Sequence, residues 1–315
     1  MRLWVGLGVV CILAGASLFI GVIPLSPGDL LTDPEARRLI FTSRLPRTLA
    51  ALLAGAALAI TGQIMQVLAR NRFVEPMTAG AGQSAALGVL LATLLTPTAP
   101  IWIKMGLAAA TTLAGSIGLL MLIRPLPPAQ PLLVPLVALI YGGLIGAGVT
   151  FVAYQGDMMQ YLQVWLTGEL SGVLKGRYEL LWVAGLAAAA TWFIAGRITL
   201  LSLGNDVARG LGINVKRVTA AGLLAVSVVT AMVVVTLGAI PFVGLVVPNL
   251  VARKMGDNLP QTLPVTALTG AGLVLAADIC GRTIRAPFEV PVASVIGVVG
   301  AVLFLILLYR EPRHG

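Results

Sequence analysis

Apolar runs near or beyond the length of a bilayer crossing recur from one end of this chain to the other, and they constrain its fold more than any other feature. A crossing helix takes about 20 predominantly apolar residues. Such runs lie near 3–23, 48–69, 77–96, 101–123, 132–154, 179–200, 217–237, 262–281 and 291–309, with a shorter one near 239–252. Lipid offers no water to unpaired backbone groups, so these runs must close their own hydrogen bonds as helices. The expectation is an all-α polytopic membrane protein of about ten transmembrane helices. The run at 239–252 is interrupted by Gly238, Pro241, Gly244 and Pro248. It is expected as one short, broken span, shielded inside the bundle. The first run exceeds the core of a signal peptide and reads as an uncleaved span.

Composition agrees: with 58% hydrophobic and 10% charged residues among 315, the chain has more apolar surface than one soluble core would bury. The 36 glycines sit inside the apolar runs, where small residues let helices approach closely. Gly142 and Gly146 form one such small-residue pair. Cys11 and Cys280 lie far apart within apolar runs and read as packing residues, with no support for a disulfide or thiolate metal site. No repeat or boundary divides residues 1–315, which are expected to form a single transmembrane domain.

The net charge of +9 is scattered between the apolar runs, which points to membrane topology rather than nucleic acid. Ten spans put both termini on one side. If that side is cytoplasmic, the opposite face holds Arg37, Arg38, Arg44, Arg47, Lys104, Lys175, Arg177, Arg282 and Arg285, and the remaining twelve of the 21 basic residues lie inside. The longest non-spanning stretch, 24–47, offers Asp33 as the cap of a short helix, with Pro34 first and Glu35 in its first turn.

Catalytic chemistry finds little here. The only histidine is His314, in the tail, and no GxxxxGK(S/T) loop occurs, so nucleotide hydrolysis must reside on a partner. Asp278 is the clearest ionisable group within a span. It stands four residues before Arg282, one helical turn away, which suits an ion pair near the interface. The stretch 203–212 is polar and punctuated by glycine. Asp206 is placed to start a short helix with Val207, Ala208 and Leu211 on one side and Gly212 at its end. A docking surface and a plain turn both fit. Gln63 and Gln66 in the second run, with Gln155 and Gln160 near the end of the fifth, suit either a weakly binding pathway or hydrogen bonds between helices.

Four motifs in consistent order carry a resemblance: RLPRTLAALLAGAALAITG at 44–62, LGNDVARGLG at 203–212, GAIPFVGLVVPN at 238–249 and EVP at 289–291. Together they resemble the FecCD family, permease subunits of ABC importers for iron-siderophores, haem and vitamin B12. NRFVEPMTAG at 71–80, WLTG at 165–168, KGRYELL at 175–181 and VPN at 247–249 look most like the branch importing catecholate siderophores such as petrobactin, enterobactin or anguibactin. Many relatives have Pro where this chain has Arg72, and His where it has Asn249.

The resemblance implies a BtuC-like ABC importer permease fold in the bacterial inner membrane, with both termini cytoplasmic. It implies pairing with a second permease, expected to be a distinct homologue, and with two ATPase subunits that carry ATP and Mg. No cofactor is expected on this chain, and no nucleic acid as partner. Leu203, Gly204, Asp206, Ala208, Arg209, Leu211 and Gly212 would form the coupling loop that docks the ATPase. Arg44, Arg47 and Arg282 would meet glutamates on a periplasmic or lipid-anchored substrate-binding protein, although arginines there also suit lipid phosphates. Haem or cobalamin is the alternative cargo. An ion-coupled secondary transporter would require midplane ionisable residues, which the runs lack.

Overall fold

The structure is a computed structural model and describes residues 2–23, 25–126 and 133–309. Arg310, Arg313 and His314 lie outside the described residues. Among the described residues every regular element is helical. Helix α1 (Arg2–Phe19) is followed by two short helices, α2 (Asp29–Thr32) and α3 (Pro34–Leu39), then by a π-helical turn over Ile40–Arg44 that runs into α4 (Leu45–Leu68). The start of α3 is as the sequence predicts. Asp33 accepts from the Glu35 amide at 2.8 Å, and Pro34 occupies the first turn, where its missing N–H is no loss.

Next come α5 (Ala81–Leu95), α6 (Ile101–Ile123), α7 (Leu133–Gln155), the short α8 (Met159–Leu166), α9 (Leu180–Ala190) and α10 (Trp192–Leu201). The chain closes with α11 (Asn205–Gly210), α12 (Val215–Leu237), α13 (Val243–Met255), α14 (Leu259–Thr283) and α15 (Val292–Tyr309). Among the described residues six helices are long and apolar enough to cross a membrane, counting α3 to α4 as one, and the bent pair α9–α10 makes a seventh if it is one span. The shorter α1, α5 and α13 occupy the remaining apolar runs.

Two expectations shift. The eighth run breaks before its helix rather than within it: Gly238 (φ +84) and Phe242 (φ +66) turn the chain, and α13 then continues unbroken through Pro248. The sharp bend falls instead in the sixth run, where α9 and α10 meet at 53° around Thr191. The Thr191 hydroxyl donates to the Ala188 carbonyl at 2.6 Å, and side-chain bonds of this kind bend helices.

Helix α4 is the centre of the bundle. It crosses α14 where Gly55 faces Gly270, so tightly that a Cβ on Gly55 would lie 2.4 Å from the Gly270 carbonyl oxygen. It crosses α13 in the same manner at Gly62 and Gly244. Gly142 seats α7 against the Gly80 backbone, whereas Gly146 meets the Gln83 side chain. Cys11 and Cys280 are exposed on the flanks of α1 and α14, not packed inside. A run that is apolar on every side does not reveal which side faces lipid.

The bundle has two functional ends. At one, the end of α1, the π-turn and the turn after α14 converge; we call it the arginine end. The other carries α11, the end of α13 and the end of α15, whose Leu307 carbonyl accepts from Arg253.

Candidate functional site

At its own end, α11 is bracketed by Gly204 (φ +111) and Gly212 (φ +79), backbone conformations that L side chains avoid. The helix begins at Asn205, one residue before the expected Asp206. Asp206 instead lies in the first turn and pairs with Arg209 at 3.1 Å, both side chains exposed. The predicted grouping of Val207, Ala208 and Leu211 is corrected in one member. Ala208 is fully buried, while Leu203, Val207 and Leu211 are 59%, 51% and 59% exposed. Positions i and i+4 share a helix face, and i+1 is turned by about 100°. The product is an apolar knuckle of Leu203, Val207 and Leu211 beside a charged pair, uncovered at the end of the bundle.

Next to α11 lies a cavity of about 200 Å³ between the ends of α4, α10 and α13 and the start of α14. Gln63, Gln66, Arg70, Arg72, Ser202 and Asp257 contribute its polar wall. The two glutamines are nevertheless committed to helix contacts. Gln63 donates to Thr262 Oγ1 at 2.8 Å and accepts from Thr266 Oγ1 at 2.9 Å, and Gln66 reaches the Gly244 carbonyl at 3.3 Å. Gln155 and Gln160 do not join them. Both are exposed near the far end of α7 and on α8, and they line neither this cavity nor a larger one of about 560 Å³ bounded by Trp165, Glu169, Arg177, Val234 and Leu237.

Sequence reasoning missed Glu75. Between α4 and α5 the chain turns back into the bundle without a helix, and Glu75 on this segment is 1% exposed. Its Oε1 accepts from the Phe242 amide at 2.8 Å, and the carboxylate faces the Gly244 and Leu245 amides. These N–H groups open α13, where a negative group is favoured by the helix dipole, and the Leu245 amide also donates to the Phe242 carbonyl at 3.2 Å. The signal in the sequence was a lone acid within the otherwise uncharged stretch 73–81. Glu75→Ala should leave the Phe242 amide without its acceptor inside the bundle, at about 1–3 kcal/mol. A large drop in the unfolding midpoint of detergent-solubilised protein is expected, with Glu75→Gln retaining much of it.

The arginine end departs most from expectation. Arg44, Arg47 and Arg282 are not free rim charges. Arg282 is 6% exposed and donates to the Ser17 and Ile20 carbonyls at 3.0 and 2.7 Å, and to Ser17 Oγ at 2.6 Å. Arg44, also 6% exposed, donates to the Leu18 carbonyl at 2.9 Å and to that of Ile23. Between them Asp278 binds two guanidiniums: Arg282 at 2.8 Å, the ion pair its spacing predicts, and Arg47 at 2.8 Å. Arg47 then reaches Glu289 at 2.9 Å. The π-turn and α14 are thereby fastened to the exit of α1, where a helix end leaves carbonyls without intrahelical partners, and Arg47 ties α4 to α14. Arg37, Arg38 and Arg285 are exposed at this end, as are Lys175, whose amide donates to the Thr42 carbonyl of the π-turn at 2.9 Å, and Arg177.

Apolar helices of crossing length packed around α4, with an exposed apolar knuckle at one end, define a helical membrane bundle. A metal-chelate type ABC transporter solved in an inward-facing conformation has the same fold, with a TM-score of 0.83, 27% identity and coverage of 98% of this chain and 99% of that one. The chain belongs to the FecCD transport family, which matches residues 9–310. It is 41% identical over 305 residues to the petrobactin import system permease protein YclN of Bacillus subtilis, covering 96% of each chain. It is 40% identical over 302 residues, again covering 96% of each, to the ferric-anguibactin transport system permease protein FatD of Vibrio anguillarum.

Proposed function

We propose that this chain is the permease subunit of an ATP-driven importer for a ferric siderophore of the catecholate type. It works by alternating access in the bacterial inner membrane, with both termini in the cytoplasm. A second permease completes the pathway, two ATPase subunits dock below with ATP and Mg, and a substrate-binding protein delivers the chelate from outside. The chain itself binds no cofactor. Full-length similarity to permeases named for petrobactin and ferric-anguibactin supports the cargo. The uncovered Leu203–Val207–Leu211 face carries the coupling assignment. An exposed apolar patch at the water-facing end of a membrane bundle marks a surface that a partner covers. At the opposite end the binding protein meets Arg37, Arg38 and Arg285, whose exposed charges orient an encounter in a way that the buried Arg44 and Arg282 do not.

Val207→Asp tests the coupling face. The side chain is exposed, so the bundle should insert normally, while a charge at the centre of a docking patch should weaken ATPase retention by about tenfold or more. Copurification of the ATPase subunits and cellular uptake of iron presented as a ferric catecholate should fall together. Wild-type retention and uptake would remove α11 as the docking element. Wild-type uptake of haem or cobalamin, with none of the catecholate, would reassign the cargo.

A further inference from the structure

The larger cavity, of about 560 Å³, lies at the arginine end and serves none of the roles assigned so far. Its volume falls within the range of about 300–1,000 Å³ found for pockets that bury a small ligand. Two parts of the chain form most of its wall: the last turn of α12, and the helix-free segment 167–179 that joins α8 to α9. That segment is held along its length. The Gly168 carbonyl accepts from the Ala293 amide at 3.0 Å, the Glu169 amide donates to the Leu237 carbonyl at 2.8 Å, and the Lys175 amide donates to the Thr42 carbonyl at 2.9 Å. The cavity is therefore a fixed part of the bundle.

Its lining has two characters. Val173, Val234 and Leu237 are buried and make an apolar interior, with Trp165 beside them. Glu169, Arg177 and Glu179 bring charge, and all three are exposed. Gly176 (φ +92) turns the chain so that its amide donates to Glu179 Oε1 at 2.7 Å, which fixes that carboxylate. The Glu169 and Arg177 side chains have no partner among the described residues. The carboxyl-terminal end of α12 adds the negative pole of a helix dipole to the two acids. One guanidinium facing this negative side suits a ligand that carries both signs of charge. The helices that complete the wall, α6 at Ile101 and α9 at Leu180, carry exposed Trp102 and Trp182 next to those positions. Tryptophans gather where the hydrocarbon of a bilayer meets its headgroups.

We propose that this cavity is a site for one phospholipid whose headgroup carries both a phosphate and a primary ammonium, as phosphatidylethanolamine does. The phosphate pairs with Arg177, whose planar fork matches phosphate oxygens. The ammonium, with three donors and no acceptor, pairs with Glu169 and Glu179. An acyl chain fills the apolar interior, where its burial is favourable. The competing occupant is the cargo. An anionic ferric chelate would meet two carboxylates against one guanidinium, a balance that repels it. The lipid site goes beyond the import reading and holds whichever chelate the permease carries.

The test gives the full chain, delipidated in detergent, equal amounts of phosphatidylethanolamine, phosphatidylglycerol and phosphatidylcholine with the same acyl chains, and reads retained lipid by native mass spectrometry. One phosphatidylethanolamine should be retained, preferred about fivefold over each of the others, the scale of one exposed charge pair. Glu169→Gln with Glu179→Gln should abolish the preference, because the carboxamides no longer attract an ammonium. Arg177→Gln should lower retention of all three lipids about two- to fivefold. Gly172→Leu tests the space itself. Gly172 lines the cavity and a Cβ there meets nothing within 4 Å, so the fold should accept a side chain that displaces the lipid. Unchanged unfolding midpoints show that the variants are folded. Equal retention of the three lipids by the unaltered chain, or a preference that survives both the carboxamide pair and Gly172→Leu, would overturn the site and leave only boundary lipid. A ferric catecholate retained instead of lipid, and lost in Gly172→Leu, would overturn the lipid assignment and place the cavity on the cargo route.

Discussion

Asp278→Ala should remove most of the folded protein. The carboxylate is the shared partner of two guanidiniums, and the side-chain exposures of Asp278 and Arg282 are 1% and 3%. Without it, Arg47 and Arg282 face one another with Glu289 alone to offset them, and Glu289 contacts only Arg47. Breaking one side of a buried ion pair costs about 3–5 kcal/mol, because the stranded charge has no water to return to. Arg282 would still have the Ser17 and Ile20 carbonyls, which accept its protons but do not neutralise it. The measurement is the unfolding midpoint and monodisperse yield in detergent. Asp278→Asn should fail almost as badly, since it keeps the shape and loses the charge. Asp278→Asn with Arg282→Met should recover part of the loss, because removing both partners strands nothing. If Asp278→Ala unfolds at the wild-type midpoint, the arginine end is not held together by charge.

Gly62→Val is the second severe change. A Cβ at this position would lie 2.2 Å from both the Cα and the carbonyl oxygen of Gly244. The obstacle is backbone, so no rotamer change relieves it. Overpacking usually costs about 1–3 kcal/mol where side chains yield, and here the helices themselves must part. Parting α4 from α13 also loosens the Gln66 contact to the Gly244 carbonyl and the seat of Glu75 against the start of α13. Gly62→Ala should already lower the unfolding midpoint, and Gly62→Val should abolish recovery of folded protein. Gly143→Ala is the control: nothing lies within 4 Å of a Cβ there, and alanine is the better helix former by about 1 kcal/mol. Its midpoint should stay level or rise.

The parts of this protein that were legible from residues in order are those decided by neighbours in order. The apolar runs become helices because hydrophobicity per length of chain is what a bilayer tests, and among the described residues six of them, seven with the bent pair, are long enough to cross. The cap of α3 was readable because Asp33, Pro34 and Glu35 settle it among themselves. The pairing of Asp278 with Arg282 followed from one helical turn of spacing. Even within α11, spacing of four correctly joined Val207 to Leu211, and the error over Ala208 came from grouping adjacent residues on one face.

Other features belonged to the tertiary structure. Arg47 and Asp278 are separated by 231 positions, so nothing local distinguishes a guanidinium aimed at a buried carboxylate from one aimed at a partner protein. The same holds for Glu75, 167 positions from the amide it caps, and for the two glycine crossings of α4. Gln63 and Gln155 look alike as polar residues in apolar runs, yet one is spent on Thr262 and Thr266 and the other is exposed. By itself the sequence determined that this chain is a helical membrane permease of the FecCD family and roughly where its long apolar helices lie. Only the packed bundle decided which charges satisfy one another and which surfaces are left uncovered, because those outcomes depend on the distance between helices and not on the order of residues within them.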